Sequence, residues 1–443
     1  MESDEGIVMT ATLFVVGDIG RSPRMCYHAY SLAQQGCYVN LVGYTDTLPH
    51  RNVVGEYIRF IPLPKPPISS SYVNPIVSFL VRLIKMIWLL FVLPYTFFLH
   101  CRGPSHRQMI MVQNPPGIPA MIVCYLMAKI QFAAFVVDWH NYSSSMLGRT
   151  WPAYFVGLIE GFFGRRATLN FCVSNAMKND LERRWAVRAT TLYDRPPTWI
   201  SEGLVSPVEK VRIFHRLATE HLRDLNDEWK FTHEEADGTL KFREKRPLLL
   251  VSSTSWTPDE DFSILLDALI RLDKRVADIA DNQALGPAIT YPNIVVVITG
   301  KGPLKEFYEE RIRQFCWKNV RVFTAWLPAN DYPTFLACAD VGVSLHTSTS
   351  GFDLPMKVVD MFGSGLPVLA KNFPAISELV EDGRNGLLFD TAEELEGLLA
   401  DISLGFPENP KLSELSKMVK EHSKNNHWVR NWNAVFWPRV EHF

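Results

Sequence analysis

The chain has 443 residues, and its 45 Lys and Arg against 47 Asp and Glu give a formal net charge of −2, so no global field recruits a polyanion and nucleic acid is not an expected partner. Hydrophobic residues at 47% and charged ones at 21% exclude a disordered or collagen-like chain, and the length suits two or three domains. Mean hydropathy is zero, which predicts local contact with lipid. The seven cysteines are scattered without a Cys-x-x-Cys pair, as expected of a reducing compartment, and no basic stretch followed by an apolar run precedes the first strand, so no cleaved leader is expected.

In chain order, short apolar or β-branched runs alternate with helical patterns. Strands are predicted over 13–17, 39–44, 109–113, 132–138, 169–173 and 190–193, with helices such as Arg24–Gln35 and Trp151–Arg166 between them. A second set follows over 248–252, 294–300, 320–323, 341–345 and 367–370. The alternation is that of parallel sheets covered on both faces, an α/β fold of two Rossmann-like domains. The domains are expected over 1–196 and 247–420, separated by a charged linker or insertion over 197–246. A closing segment over 421–443 carries Trp428, Trp432 and Trp437 and is expected to dock on apolar surface, returning to the first domain.

Within the first domain, Pro75 to Leu99 is the most apolar stretch of the chain. Spanning a bilayer takes about 20 uninterrupted apolar residues, and here Arg82 and Lys85 break the run while Pro94 would kink it. The two cations lie three apart on one helix face, so the stretch is expected to lie in the lipid interface with the cations at the headgroups. A second apolar helix, Ile118 to Ile130, is expected to extend that surface.

Chemistry concentrates where strands end. Gly17-Asp18-Ile19-Gly20-Arg21 follows the first strand and precedes a helix, an arrangement that offers backbone N–H groups to a phosphate, with Arg21 and Arg24 adding cationic reach. Ordinary turn chemistry explains the same glycines, and the missing third glycine argues against a nicotinamide dinucleotide site. Asp138 and His140 close an apolar strand, at the edge where open α/β sheets bind ligands, and either suits proton abstraction from a hydroxyl.

In the second half, Ser350 and Gly351 lead into Leu354-Pro355-Met356-Lys357-Val358-Val359-Asp360. A helix start and a Lys suit a diphosphate, and a carboxylate one turn later suits a ribose diol. Lys301, within Thr299-Gly300-Lys301-Gly302-Pro303, and Trp326 follow neighbouring strands and belong to the same expected site.

Taken together, Val16 to Met25, Gln113 to Gly117, Val137 to Tyr142, Ser252 to Thr257, Ile298 to Pro303 and Leu354 to Gly363 resemble the chitobiosyldiphosphodolichol beta-mannosyltransferase family, in one order from Thr12 to Trp437. The resemblance implies a GT-B fold, two Rossmann-like domains facing across a cleft. It implies inverting transfer of the first mannose from GDP-mannose to dolichyl-diphospho-chitobiose at the cytosolic face of the endoplasmic reticulum membrane, in company with later mannosyltransferases. Under it, Asp138 is the preferred base with His140 as its alternative. Ser253, Thr254, Gly300, Lys301, Trp326, Ser350, Gly351, Lys357 and Asp360 hold the donor, and Gly17, Asp18, Gly20 and Arg21 form the acceptor or phosphate loop. No resident cofactor and no metal ligand set is expected; a divalent cation could assist. The chain departs from the pattern in lacking an apolar N-terminal anchor, in lacking Arg and Lys over Ser252 to Asp261, and in carrying Asp360 where Glu is usual. A non-catalytic scaffold on the same fold stays open as the alternative.

Overall fold

A computed structural model of the chain describes residues 7–68, 75–148, 150–200, 206–222, 225–258, 260–282, 290–328, 330–348 and 350–443. It divides into two units, Met1–Asp194 with Trp428–Phe443, and Arg195–His427.

The first unit is built on strands β1 (Thr10–Asp18), β2 (Tyr38–Tyr44), β3 (Ile58–Pro62), β4 (Gln108–Asn114), β5 (Ala134–Trp139), β6 (Leu169–Cys172) and β7 (Thr190–Thr191). They form one parallel sheet in the order β3-β2-β1-β4-β5-β6-β7. Met109, Ile110, Met111 and Val112 are all buried, which is why β4 shows no in/out alternation: helices cover both faces. Those helices are α1 (Pro23–Gln34), α2 (Pro75–His100), α3 (Ala120–Ile130), α4 (Trp151–Gly164) and α5 (Asn175–Trp185). Sequence order reverses between β1 and β4, so the carboxyl ends of β1, β4 and β5 border the switch point where such sheets bind ligands.

The second unit opens with α6 (Pro207–His221) and a hairpin of β8 (Thr232–Glu234) and β9 (Leu240–Phe242). Its main elements are β10 (Leu248–Ser253), α7 (Phe262–Asn282), β11 (Ile294–Thr299), α8 (Lys305–Gln314), β12 (Val320–Ala325), α9 (Tyr332–Cys338), β13 (Val341–Ser344), α10 (Met356–Gly363), β14 (Val368–Lys371), β15 (Gly386–Phe389), α11 (Ala392–Ser403) and α12 (Pro410–Asn425). The sheet is parallel in the order β12-β11-β10-β13-β14-β15, with its switch point between β10 and β13. The chain ends in α13 (Trp428–Val435) and α14 (Trp437–Val440), which belong to the first unit. There the Trp428 indole donates to Ser31 Oγ at 2.9 Å and Trp432 to His28 Nδ1 at 3.0 Å, and Phe436 packs on Phe171.

Three sequence expectations change. The stretch 197–246 is packed and not a solvated linker: Phe214, Leu217, Trp229 and Phe231 are buried within the second unit. Its charged residues point outward and hide a thin apolar stripe from a composition count; 201–205 and 223–224 lie outside the described residues. The strand expected from Phe132 starts at Ala134, because Phe132 has φ 52° and is 97% exposed in the turn before it. Strands β3 and β15 carry no clear pattern, being short and, for β3, broken by Arg59 and closed by Pro62.

Candidate functional site

In the first unit, a buried polar cluster lies under the carboxyl ends of β1 and β5. Arg24, in the first turn of α1, donates from Nε to Asp138 Oδ2 and from Nη2 to Oδ1, both at 2.8 Å. Its Nη1 donates to Asp194 Oδ1 and to the Leu192 carbonyl, also at 2.8 Å. Arg24, Asp138 and Asp194 are all buried, so this planar fork satisfies two carboxylates that water does not reach. His28, one turn along α1, lies with Nε2 3.4 Å from Asp138 Oδ2. Because Trp432 donates to His28 Nδ1, the neutral ring carries its proton on Nε2. Burial lowers the pKa of His28 from the ordinary 6.5, outweighing Asp138.

Burial alone would raise the pKa of Asp138, but the charge of Arg24 and the contacts of His140 and His28 hold it well below the usual carboxylate range. This geometry leaves Asp138 poorly suited to the base role preferred from the sequence: its carboxylate is enclosed and both oxygens are committed. His140 is the residue that reaches outward. Its Nε2 lies 2.7 Å from Asp138 Oδ2 and its side chain is 21% exposed, while its backbone N–H donates to the Asn114 carbonyl at 2.8 Å. An ionised carboxylate only accepts, so Nε2 carries the proton and Nδ1 keeps the lone pair.

The loop after β1 has a different arrangement from the phosphate cradle considered for it. The Asp18 carboxylate accepts from the Thr47 N–H at 3.0 Å and pairs with Arg21 at 3.4 Å; burial raises its pKa, but bonds to Thr47 and Gly20 together with the Arg21 charge bring it below the ordinary 3.8. An acid of the chain itself thus stands in the loop, beside the Gly20 N–H and the Arg21 guanidinium. Gly20 is required by packing, since a Cβ there would sit 2.4 Å from the Thr47 carbonyl oxygen, while Gly17 has room for one. Arg24, expected to add cationic reach, is spent on Asp138 and Asp194.

In the second unit, Ser253, Thr299 and Ala325 end β10, β11 and β12 in register, which brings the loops that follow them to one edge. Lys301 and Trp326, chosen from separate loops, meet there with Lys301 Nζ 4.1 Å from the indole ring centre. The Gly300 backbone, at φ 136°, passes so close to the β10 loop that a Cβ would lie 1.8 Å from the Thr254 carbonyl oxygen. Ser253 Oγ shares a 2.6 Å bond with the Tyr332 hydroxyl and accepts from Thr299 Oγ1 at 3.0 Å. Burial, with the charge of Asp360 adding to it, raises the pKa of Tyr332.

Lys357, on the first turn of α10, pairs with Glu260 and donates to Ser255 Oγ at 3.0 Å. Glu260 is buried and also accepts from Thr254 Oγ1 at 2.6 Å and from the Ser255 N–H at 2.5 Å. The Thr254 hydroxyl therefore supports Glu260 and does not face a ligand. The loop after β13 closes on Asp353, which takes a bond from Ser348 and lies 3.3 Å from His346 Nε2; burial raises its pKa, but these two partners bring it below the ordinary 3.8. Ser350 Oγ accepts from the Phe352 N–H at 3.3 Å, and the Gly351 N–H donates to Ser348 Oγ at 2.9 Å; Thr349 lies outside the described residues. His28, Asp194, Glu260, His346 and Asp353 were missed from sequence, and Arg24 was given a different role there, since only the fold pairs them with the residues that were chosen.

Residues 248–403 match the family model described as glycosyl transferases group 1. The chain is 40% identical over 451 residues to the chitobiosyldiphosphodolichol beta-mannosyltransferase of Homo sapiens, spanning 96% of this chain and 91% of that protein. The chain belongs to that family. The Dictyostelium discoideum member is 35% identical over 95% of this chain and 92% of its own length. An Arabidopsis thaliana relative named UDP-glycosyltransferase TURAN is 39% identical over 97% of both chains. Among solved structures, Anabaena HepE with UDP-glucose gives a TM-score of 0.62 at 15% identity, over 96% of this chain and 97% of that one. WaaG, a glycosyltransferase of lipopolysaccharide biosynthesis, gives 0.58 at 13%, over 96% and 98%. The chain therefore has the GT-B fold, and it is a glycosyltransferase of the dolichol pathway.

Proposed function

We propose that the protein transfers mannose from GDP-mannose to the chitobiose of dolichyl-diphospho-chitobiose, with inversion, at the cytosolic face of the endoplasmic reticulum membrane. The names of the relatives support the acceptor and product. The observation that carries the mechanism is the 2.7 Å contact between His140 and an Asp138 locked by Arg24.

An α-linked donor and a β product require direct attack of the acceptor 4-hydroxyl on the anomeric carbon. The new C–O bond forms as the bond to the GDP oxygen breaks. The hydroxyl proton passes to His140 Nδ1, and Asp138 stabilises the imidazolium through Nε2, as in other carboxylate-oriented histidine bases. Negative charge grows on the leaving diphosphate, where fixed positive groups lower the barrier most. Lys357 and Lys301 are assigned to it, with Glu260 holding the Lys357 ammonium in place and Trp326 offering a flat surface to the base. Membrane association has a physical basis in α2. Its exposed side carries Leu83, Ile87 and Phe91, while Val92, Leu93 and Phe97 are buried. Trp88 and His100 bond to the Pro64 carbonyl and to Arg59. A helix held along one face by the unit suits the lipid interface rather than a crossing.

His140→Ala is expected to lower turnover by about a hundredfold or more with GDP affinity kept; full activity would remove the base assignment. The Arabidopsis relative's name favours a UDP-sugar as the second reading of the donor. Calorimetric titration separates the two: GDP and GDP-mannose bind and UDP binds at least about tenfold more weakly, whereas a preference for UDP, or no binding of GDP, overturns the donor assignment.

A further inference from the structure

Helix α4 presents Trp151, Tyr154, Phe155, Leu158 and Phe162 to solvent, with Trp151 75% exposed. Their spacing makes one stripe on the helix. Helix α3 packs against both α2 and α4 and adds exposed Leu126 and Ile130, with Phe132 just beyond. The exposed apolar side chains thus continue over three adjacent helices, the kind of contiguous surface that marks a contact with a protein or a membrane.

Charge identifies that partner. Residues 75–166 contain eight Lys and Arg (Arg82, Lys85, Arg102, Arg107, Lys129, Arg149, Arg165 and Arg166) and only two acids, Asp138 and Glu160. Both acids are buried, so among the described residues the exposed Lys, Arg, Asp and Glu of this region are all cations, in a chain whose net charge is −2. Aromatic rings in a stripe, with Arg165 and Arg166 beyond its end, match an anionic lipid interface. The buried side of α4 meets the catalytic loop. Glu160 accepts from the Ser143 N–H at 2.7 Å, from Asn114 Nδ2 at 2.9 Å and from the Ser144 N–H at 3.3 Å. Asn114 is also the residue whose carbonyl holds the His140 backbone.

We propose that the aromatic stripe of α4 seats in the headgroup–acyl boundary of a bilayer containing anionic lipid, and that Glu160 keeps this seat in register with His140. The seating stands on exposure and charge alone. Its use in transfer rests on the function proposed above.

The test is co-sedimentation with vesicles of phosphatidylcholine, with and without phosphatidylinositol, for the full chain and a Trp151→Ser/Tyr154→Ser/Phe155→Ser variant. The parent chain binds, more tightly with phosphatidylinositol, and the variant binds roughly tenfold more weakly or less. Its KM for a vesicle-borne acceptor rises while turnover of a water-soluble acceptor is unchanged. If the triple variant misfolds, Trp151→Phe in the parent answers the same question, since brominated lipids quench Trp151 emission and that quenching is lost in the variant. Arg165→Gln/Arg166→Gln removes the phosphatidylinositol increment. A triple variant that sediments like the parent, no brominated-lipid quenching from Trp151, or a parent that forms dimers through this face and ignores vesicles overturns the proposal. Vesicle binding with no transfer to any acceptor would leave the seat standing and refute the enzymatic reading instead.

Discussion

Two carboxylate–cation pairs mark the two units, and they differ in access to water. Arg24 and Asp138 have side chains 3% and 0% exposed, whereas Lys357 is 27% exposed above a Glu260 that is 3% exposed. A sealed pair has every donor and acceptor committed and acts on substrate only through what it holds, here His140. A pair open on its cationic side keeps ammonium hydrogens to offer an anion. The same two residue types thus serve positioning in one unit and binding in the other, and burial decides which.

That contrast is easiest to break from the sealed side. Arg24→Met leaves Asp138 and Asp194 buried without a counter-charge, and a buried pair opened in this way costs about 3–5 kcal/mol. Denaturant unfolding should show that loss, and a change within about 0.5 kcal/mol would mean that water reaches the cluster. On the open side, Lys357→Ala should leave the chain folded and lower GDP-mannose turnover by more than about tenfold; unchanged kinetics would take the diphosphate away from this residue. Gly300→Ala acts between these, forcing apart the loops that carry Thr254 and Lys301. Denaturant unfolding is expected to show a cost of about 1–3 kcal/mol, accompanied by a raised KM for the donor, and wild-type stability and KM would show that the loops move independently.

The smallest effect is on acid stability. His28 has a folded pKa below its ordinary 6.5, and Asp138 one well below its ordinary 3.8. In both cases the unfolded chain takes up a proton that the folded chain refuses, so each contribution is present above the ordinary value and is lost as pH falls. Melting temperature should therefore begin to drop below about pH 6.5, from His28, and drop further below about pH 4, from Asp138. His28→Gln should flatten the first part of the curve; an unaltered profile would mean that His28 is protonated in the folded chain.

The sequence made part of this legible and hid the rest for a physical reason. Asp138 and His140 stand at the end of an uninterrupted apolar run, and Lys357 at a helix start beside Pro355, so local pattern exposes them. Arg24 reads as a surface cation after a glycine loop, and only the placement of β5 beside β4, one strand away from β1, makes it a buried partner. Glu260 lies among charged loop residues and acquires its meaning from Lys357, far away in the chain. Phe214 and Leu217 were lost among the charges around them, because a narrow buried stripe barely shifts composition. The α4 stripe has the opposite history: its helix was expected, but its apolar spacing looks like a core face until the fold leaves it uncovered.

The most direct measurement is incubation of the purified chain with GDP-mannose and a lipid-linked diphosphochitobiose, followed by mass and linkage analysis. The account predicts one added hexose in β-1,4 linkage with release of GDP, absent from the Lys357→Ala and His140→Ala proteins. No added hexose, an α linkage, or equal transfer by the two variants would contradict it.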